Sequence, residues 1–277
     1  MNQPPATEQH LTPDVLAWMA AQAAQGYTKA SIFDAMRAAG WSREVAALAM
    51  QMHPEGLASL RVPSLALPVS GRMVDAGDKW VEVQQLFQAP DVVLFANLLS
   101  ASECRALIEA ARPRLSRSLT VDTKTGGEEL NADRTSEGMF FERSENSIVR
   151  CVETRIAKLL GWPRENGEGL QILRYGPGAE YKPHYDYFDP AELGTPAILT
   201  RGGQRVATLI MYLNEPEKGG ATVFPDLDLK VVPRPGQAVF FSYAQPHPAS
   251  RTLHGGAPVQ AGEKWIATKW LREREFI

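Results

Sequence analysis

The sequence predicts an α+β fold: a double-sheet jelly roll buttressed by helices, with a small three-helix module in front of it. Amphipathic helical stretches occur before Gly161, and short β-rich runs separated by Gly and Pro turns fill the chain after it. Residues 54–79 are rich in Pro, Gly and Ser and show no period. We therefore expect a linker over 54–79, between a helical module (residues 11–53) and a main domain (residues 80–277).

Three short helical stretches make up the predicted N-terminal module. The first, TPDVLAWMAAQAAQ, opens with Thr12 as a cap and Pro13 at the first helical position. TKASIFDAMRAAG ends at Gly40, and SREVAALAMQM begins at a capping serine. The pattern resembles that of ubiquitin-associated-like three-helix modules. Two interpretations stay open: a separate binding module whose partner is unknown, or a helical cap on the main domain.

The main domain begins with a strand and two helices. The strand VVLFA leads into a helix in which Ser100 stands three residues before Glu103, the spacing of a capping box. A second amphipathic helix, NSIVRCVETRIAKLLG, ends at Gly161. The predicted strands that follow are contained in LQILRYG, RVATLIMYLN, LKVVPRPGQAVFFSY and KWIATKWLRER.

Composition limits the function classes. The 277 residues are 44% hydrophobic and 22% charged, with a net charge of −3 and no long basic run, so nucleic-acid binding is not expected. No apolar run reaches the roughly 18 residues that cross a bilayer, and the first residues lack the pattern of a signal peptide. We expect a cytoplasmic protein without membrane partners, in which Cys104 and Cys151 are small buried residues of a reducing compartment.

The segment KPHYDYFDP contains a histidine and a carboxylate two positions apart. In an extended strand, His184 and Asp186 point the same way and can converge on one metal ion. A third ligand must come from elsewhere in the chain. His247 and His254 both follow the strand AVFFSY. His247 is locked between two prolines, whereas His254 precedes two glycines that let the backbone approach an ion, which favours His254.

Two histidines and one carboxylate form the facial triad of non-haem Fe(II) oxygenases, which leaves three positions open for a 2-oxo acid and O₂. Zinc accepts the same ligands, but the H-E-x-x-H pattern that supplies a general base in zinc hydrolases is absent from the sequence. Lys264 follows His254 after a turn, and a buried lysine would require an anionic partner such as the far carboxylate of a dicarboxylic acid. An exposed strand lysine is the alternative.

Several segments together carry a family resemblance: LQILRYGPGAEYKPHYDYF, GGQRVATLIMYLN, GGATVFPDLDLKVVPRPGQAVFF and TLHGGAPVQAGEKWIATKWLRER. They resemble, in the same order from about Asp91 to Arg274, the prolyl 4-hydroxylase family of 2-oxoglutarate- and Fe(II)-dependent dioxygenases. The resemblance implies a double-stranded β-helix. It also implies hydroxylation of a peptidyl proline by O₂, coupled to oxidative decarboxylation of 2-oxoglutarate to succinate and CO₂, with ascorbate dependence.

The resemblance also assigns roles by position. His184, Asp186 and His254 match the iron ligands, and Lys264 matches the residue that pairs with the distal carboxylate of 2-oxoglutarate. Tyr175 and Thr208 fall where family members add hydrogen bonds to that cosubstrate. The positions that line the peptide channel are matched by Arg134, Ser136, Glu168, Tyr181 and Trp270.

One departure from the family pattern concerns substrate choice: Arg272 stands where the family often has histidine. The segment from residue 182 to residue 204 is expected to form a lid at the channel mouth that orders on substrate binding. Three alternatives remain open. One is the same chemistry on another side chain or a free small molecule. The others are an inert binding protein that uses the N-terminal helices, and a zinc or manganese isomerase that works without O₂.

Overall fold

The computed structural model describes residues 9, 11, 15, 18, 19, 22, 29–52, 62–63, 72–88, 90–118, 120–121, 127–129, 133–190, 192–244 and 246–277. The chain divides into two compact units, Met1–Leu60 and Arg61–Ile277. The division falls inside residues 54–79, the range predicted as a linker. Among the helices of the described residues, none combines the length and the apolar content that crossing a bilayer requires.

The first unit contains helices α1 (Lys29–Ala38) and α2 (Arg43–Met52). Its core consists of apolar side chains at helical spacing: Met19, Ile32, Met36, Ala46 and Ala49. Gly40, with φ of 88°, follows α1, and the Ser42 hydroxyl caps α2 by accepting a hydrogen bond from the Val45 amide at 3.1 Å. The first of the three predicted helices lies largely outside the described residues, so the three-helix module stays a prediction.

The second unit contains helices α3 (Ala101–Ala111), α4 (Ser147–Leu160) and α5 (Thr195–Leu199). Four 3₁₀ turns accompany them: Arg112–Arg114, Arg164–Asn166, Pro225–Leu227 and Pro248–Ser250. The strands are β1 (Met73–Asp75), β2 (Trp80–Phe87), β3 (Val92–Ala96), β4 (Ser116–Arg117), β5 (Thr120–Val121), β6 (Glu128–Glu129), β7 (Glu137–Phe141), β8 (Leu170–Tyr175), β9 (Tyr181–His184), β10 (Arg205–Tyr212), β11 (Lys218–Gly219), β12 (Thr222–Phe224), β13 (Leu229–Val231), β14 (Ala238–Ser242), β15 (His254–Gly256), β16 (Val259–Ala261) and β17 (Lys264–Arg272).

Two antiparallel sheets enclose the core. The larger has the order β1-β2-β3-β14-β10-β17-β8-β7-β4, and the smaller has the order β13-β12-β15-β9. Side chains from both sheets share one apolar cluster, in which Tyr175 and Tyr212 of the larger sheet lie with Phe224 and Val231 of the smaller. Sheet packing on a common core is the jelly-roll arrangement that the sequence predicts. The short pairs β11–β16 and β5–β6 stand apart from these sheets.

The two central strands are covered on both faces. Every residue of β17 is buried, and only the first residue of β10 is partly exposed. This burial explains why β10 reads as a nearly continuous apolar run, whereas β17 also buries polar side chains, among them Lys264 and Lys269. Side chains that point into the barrel from these strands are therefore held on its most rigid part.

The predicted helix ends are confirmed. The Ser100 hydroxyl accepts a hydrogen bond from the Glu103 amide at 3.2 Å, and the Glu103 carboxylate accepts one from the Ser100 amide at 2.7 Å. Gly161 ends α4 in the left-handed conformation, with φ of 57°. The buried guanidinium of Arg155 on α4 donates hydrogen bonds to Glu103 and to Asp78, which ties α4 to α3 and to the turn before β2.

Two features differ from the sequence-based expectation. Strand β1 lies inside residues 54–79, because pairing with β2 supplies hydrogen bonds that local composition does not reveal. Cys104 and Cys151 are both free thiols, but only Cys104 is buried. Cys151 is half-buried, and its thiol donates a hydrogen bond to the Asp78 carboxylate at 3.2 Å.

Candidate active site

Antiparallel pairing brings the two strand histidines together. His184 ends β9 and lies directly opposite His254, which begins β15, so their ring centroids are 4.5 Å apart. Asp186 follows β9 by two residues. Its Oδ1 is 3.5 Å from Nε2 of His184, and its Oδ2 is 3.4 Å from Nε2 of His254. One ligand atom from each of the three side chains can be chosen so that all lie within 4.8 Å of one another.

Backbone contacts orient both imidazoles. Nδ1 of His184 lies 2.8 Å from the Lys182 carbonyl oxygen, and Nδ1 of His254 lies 3.0 Å from the Thr252 carbonyl oxygen. A carbonyl oxygen only accepts hydrogen bonds, so in the neutral form of each ring Nδ1 carries the proton and Nε2 has the lone pair. Both lone pairs therefore belong to the nitrogens that face Asp186.

Burial sets the charges of the cluster. It lowers the pKa of His254 to about 4, against the opposing charge of Asp186, so this imidazole is neutral near pH 7. Burial acts to raise the pKa of Asp186, but His254, His184 and Arg205 together hold that pKa below its usual range. Two imidazoles and one carboxylate form a donor set that fits a divalent transition-metal ion and matches the facial triad of Fe(II) sites.

The neighbouring cation is Lys264, whose side chain is 2% exposed. It lies opposite Tyr175 in the pairing of β17 with β8, and no hydrogen bond or ion pair to its ammonium is found within the described part of the chain. Burial lowers the pKa of Lys264 to about 7. An unpaired buried cation fits a site for a carboxylate ligand.

One cavity is lined both by the three candidate metal ligands, His184, Asp186 and His254, and by Lys264. Its lining residues are Arg134, Leu173, Tyr175, Tyr181, His184, Asp186, Ile210, Thr222, His254, Gly255, Gly256, Lys264, Ile266, Thr268 and Trp270. Sequence reasoning missed the apolar and threonine members of this wall. A signal for them exists, because Lys264, Ile266, Thr268 and Trp270 recur with period two on β17 and so share one face.

Three of the five predicted channel residues line this cavity. The Tyr181 ring stacks on His184, with centroids 3.6 Å apart and planes 21° apart. Arg134 forms an antiparallel β-bridge with Tyr181, and its guanidinium lies 5.0 Å from the centroid of the Tyr181 ring. Trp270 contributes from β17.

The other two predicted channel residues do not line the cavity. The buried Glu168 carboxylate accepts hydrogen bonds from Arg205 at 2.7 Å and 2.9 Å and from Arg272 at 3.0 Å, so its charge is already paired. The Ser136 hydroxyl donates to the Ser118 hydroxyl at 3.0 Å. Both positions were inferred from resemblance, which does not reveal these partners.

Two further positions were predicted to hydrogen-bond the cosubstrate. Thr208 is not among the residues that line the cavity, and its hydroxyl donates a hydrogen bond to the Asp186 carboxylate at 2.6 Å. Tyr175 lines the cavity and lies opposite Lys264 in the pairing of β17 with β8. His247 neither lines the cavity nor belongs to the His184–Asp186–His254 cluster. His10 and His53 lie outside the described residues.

The Arg272 side chain holds the segment that was predicted to form a lid. Its guanidinium donates to the carbonyls of Ile198 and Arg201, on either side of the end of α5, as well as to Glu168. The same segment is fixed at Phe188, whose amide and carbonyl both bond with the Gln204 side chain at 2.8 Å. The segment is thus bonded to β17 of the larger sheet through Arg272 near its end, whereas residues 182–184 at its start belong to β9 of the smaller sheet.

Comparison with known proteins identifies the family. A model of the 2OG-Fe(II) oxygenase superfamily matches residues 170–272. Prolyl 4-hydroxylase 5 of Arabidopsis thaliana is 39% identical over 228 residues, which cover 75% of this chain and 76% of that protein. Prolyl 4-hydroxylase 1 of the same plant is 43% identical over 205 residues, covering 67% of this chain and 70% of that protein.

A solved structure agrees with these matches. The viral collagen prolyl hydroxylase of Paramecium Bursaria Chlorella virus-1, in complex with 2-oxoglutarate, aligns with a TM-score of 0.51 and 32% identity. The alignment covers 65% of this chain and 95% of the viral one. The chain belongs to the prolyl 4-hydroxylase family of 2-oxoglutarate- and Fe(II)-dependent oxygenases. The family predicted from sequence is confirmed, and its use of Fe(II) and 2-oxoglutarate follows with it.

Proposed function

We propose that this chain hydroxylates a prolyl residue of a peptide or protein, using O₂ and 2-oxoglutarate. A single observation carries the proposal: the His184–Asp186–His254 cluster shares one cavity with the ammonium of Lys264, which has no hydrogen bond or ion pair from the described residues. Metal ligands next to a buried cation suit a cosubstrate that chelates iron at one end and carries a carboxylate at the other.

The chain's residues divide the work. His184, Asp186 and His254 hold Fe(II), and Lys264 pairs with the distal carboxylate of 2-oxoglutarate beside Tyr175. Bound Fe(II) supplies the redox chemistry that activates O₂. The apolar walls exclude water from the reacting atoms, and the buried strands β10 and β17 keep the ligands in place.

The overall reaction balances without a further oxidant. 2-Oxoglutarate loses CO₂ and becomes succinate, which takes up one oxygen atom of O₂. The other oxygen atom enters a C–H bond of the prolyl ring and forms the hydroxyl group. Ascorbate is expected to restore iron that has become oxidised in turnovers without substrate.

The cavity wall suits an extended, proline-containing peptide. Tyr181 and Trp270 present aromatic rings, and the guanidinium of Arg134 lies 5.0 Å from the centroid of the Tyr181 ring. Proline-rich segments adopt a polyproline II conformation that docks on aromatic surfaces at low entropic cost. A proline-containing peptide is therefore the substrate class that this wall favours. We propose a cytoplasmic location, because Cys104 and Cys151 are free thiols and the reducing cytoplasm keeps thiols in that state.

One observation favours a second candidate, the same chemistry on a different side chain. Arg272 occupies a position where the family often has histidine, and it engages Glu168 instead of leaving that carboxylate for a substrate. Turnover of 2-oxoglutarate stimulated by free amino acids or proline-free peptides, and not by proline-rich peptides, would support this candidate.

The deciding experiment measures succinate formation with Fe(II), 2-oxoglutarate and proline-rich peptides, and detects hydroxyproline by mass spectrometry. His184→Ala should abolish both products and leave the circular dichroism spectrum unchanged. His247→Ala, outside the cluster, is the matched histidine control and should retain activity. Succinate formation by His184→Ala at the wild-type rate would refute the metal assignment. If the wild-type protein did not turn over 2-oxoglutarate, the result would favour the alternative of an inert binding protein. Turnover in the absence of O₂ would favour the alternative of a metal-dependent isomerase.

A further inference from the structure

The second oxygen of the Asp186 carboxylate ends a chain of buried hydroxyl groups. Oγ1 of Thr208 is 2.6 Å from Oδ2 of Asp186 and 3.0 Å from the phenolic oxygen of Tyr243. All three side chains are buried, at 0%, 6% and 1% exposure for Thr208, Asp186 and Tyr243 respectively. These contacts are therefore shielded from water. In such a low-dielectric environment a hydrogen bond is stronger than it is in water.

The donor and acceptor properties of the three groups determine the direction of these hydrogen bonds. An ionised carboxylate only accepts hydrogen bonds, so the single hydroxyl hydrogen of Thr208 goes to Asp186. The Thr208 oxygen is then an acceptor toward Tyr243, which must donate. The order Tyr243 to Thr208 to Asp186 is the arrangement in which each of these hydrogen bonds has one donor.

This series of hydrogen bonds joins a loop to the most rigid part of the fold. Asp186 lies after β9, whereas Thr208 lies in the middle of β10 between Phe241 of β14 and Trp270 of β17. Tyr243 directly follows β14, and its amide donates to the Val206 carbonyl at 3.0 Å. Two neighbouring strands of the larger sheet therefore hold one oxygen of a loop carboxylate.

We propose that Thr208 and Tyr243 are positioning residues that orient Asp186 for metal binding. Thr208 holds Oδ2, the oxygen that also lies 3.4 Å from Nε2 of His254, and this orientation directs Oδ1 toward Nε2 of His184. Without the Thr208 hydroxyl, the carboxylate can rotate, and one of its oxygens loses its buried donor. Outer hydrogen bonds of this kind affect metal affinity by about 10- to 100-fold when removed. The inference rests on the proposed function only in that Asp186 binds the metal.

The test measures binding of Mn(II), as a probe that does not react with O₂, to the full chain by calorimetry. Thr208→Val keeps the shape of the side chain and removes the hydroxyl, and we expect affinity to fall by about 10- to 100-fold. Thr208→Ser restores the hydroxyl and should return affinity to within about threefold of wild type. Tyr243→Phe leaves the Thr208 donor in place, so its effect should lie between the two.

A matched control exists on the same strand. The Tyr212 hydroxyl donates to the Thr222 hydroxyl at 2.8 Å, and this buried tyrosine–threonine pair does not touch Asp186. Tyr212→Phe removes a buried phenol of the same kind and should leave Mn(II) affinity unchanged. An effect of Tyr243→Phe that exceeds that of Tyr212→Phe therefore reports orientation of Asp186 and not a general loss of packing.

Two results would overturn the inference: wild-type affinity in Thr208→Val, or equal losses in Tyr243→Phe and Tyr212→Phe. If Thr208→Val does not fold, the comparison of the two tyrosine variants decides. The metal assignment itself is tested separately by His184→Ala. Equal Mn(II) binding by wild type and His184→Ala would reject the proposed metal site, whereas normal dependence on His184 with an unaffected Thr208→Val would reject only the role of Thr208.

Discussion

Lys264 lies directly opposite Tyr175 in the pairing of β17 with β8, and its ammonium nitrogen is 5.5 Å from the centroid of the Tyr175 ring. This buried cation lines the cavity that also contains the His184–Asp186–His254 cluster. Within the described residues it has neither a hydrogen bond nor an ion pair. A buried charge without a partner costs folding free energy, which a bound anion can offset.

The first prediction concerns ligand binding by Lys264→Met. This variant should lose the thermal stabilisation that 2-oxoglutarate gives in the presence of Mn(II), because the cation for its distal carboxylate is gone. Without ligand, the variant should unfold at a higher temperature than wild type, because a buried unpaired charge has been removed. Thermal unfolding with and without 2-oxoglutarate measures both effects. Ligand-dependent stabilisation of Lys264→Met equal to that of wild type would contradict the assignment.

The second prediction concerns pH. Burial lowers the pKa of Lys264 from 10.5 to about 7 in the folded protein, so between these values the unfolded chain binds more protons. The lysine therefore disfavours the folded state fully below pH 7, and this penalty disappears as pH rises toward 10.5. Urea unfolding of wild type and Lys264→Met across pH 6 to 10 should show a stability difference that shrinks with rising pH. A constant difference would show that the buried lysine does not titrate in this range.

A third prediction concerns Glu168, which lies between the guanidinium groups of Arg205 and Arg272. Burial acts to raise the pKa of Glu168, but these two arginines hold it below its usual range. Glu168→Gln leaves two buried cations without their carboxylate, and we expect it to lower the free energy of unfolding by about 3–5 kcal/mol.

The control for Glu168→Gln is an exposed pair on the same domain. Glu137 accepts a hydrogen bond from Arg174 at 2.6 Å, and both side chains are about a third to a half exposed. Glu137→Gln should cost less than about 1 kcal/mol, because water screens this pair. Chemical denaturation measures both variants, and equal losses would show that burial of the Glu168 cluster contributes nothing.

The fourth prediction compares two glycines with the same backbone conformation. Gly236 has φ of 79°, and a Cβ atom there would lie 2.3 Å from the Leu99 carbonyl oxygen. Gly178 has φ of 80°, and a Cβ atom there would meet nothing within 4 Å. Gly178→Ala should cost about 1–2 kcal/mol of stability from the left-handed conformation alone. Gly236→Ala should cost clearly more, since the backbone must also move. Equal unfolding free energies of the two variants would exclude a role for the contact with Leu99.

Local pattern was sufficient for several features of the fold and the site. The capping box of Ser100 with Glu103 and the terminal Gly161 depend on neighbours within one helix end, so the sequence predicts them correctly. Alternation along a strand likewise indicates that His184 and Asp186 share a direction. The family resemblance depends on motif order, which the sequence also contains.

The sequence by itself therefore determined the class of fold, the helix ends and the family, because each is written in short-range pattern or in motif order. Tertiary structure decided which histidine lies opposite His184, since strand register depends on contacts between distant segments. It also decided that Lys264 is buried with no hydrogen bond or ion pair from the described residues. The same packing pairs the Glu168 carboxylate with two arginines and the Thr208 hydroxyl with Asp186. Burial and pairing arise only when remote strands pack together, and the charge state and contacts of a side chain follow from that packing.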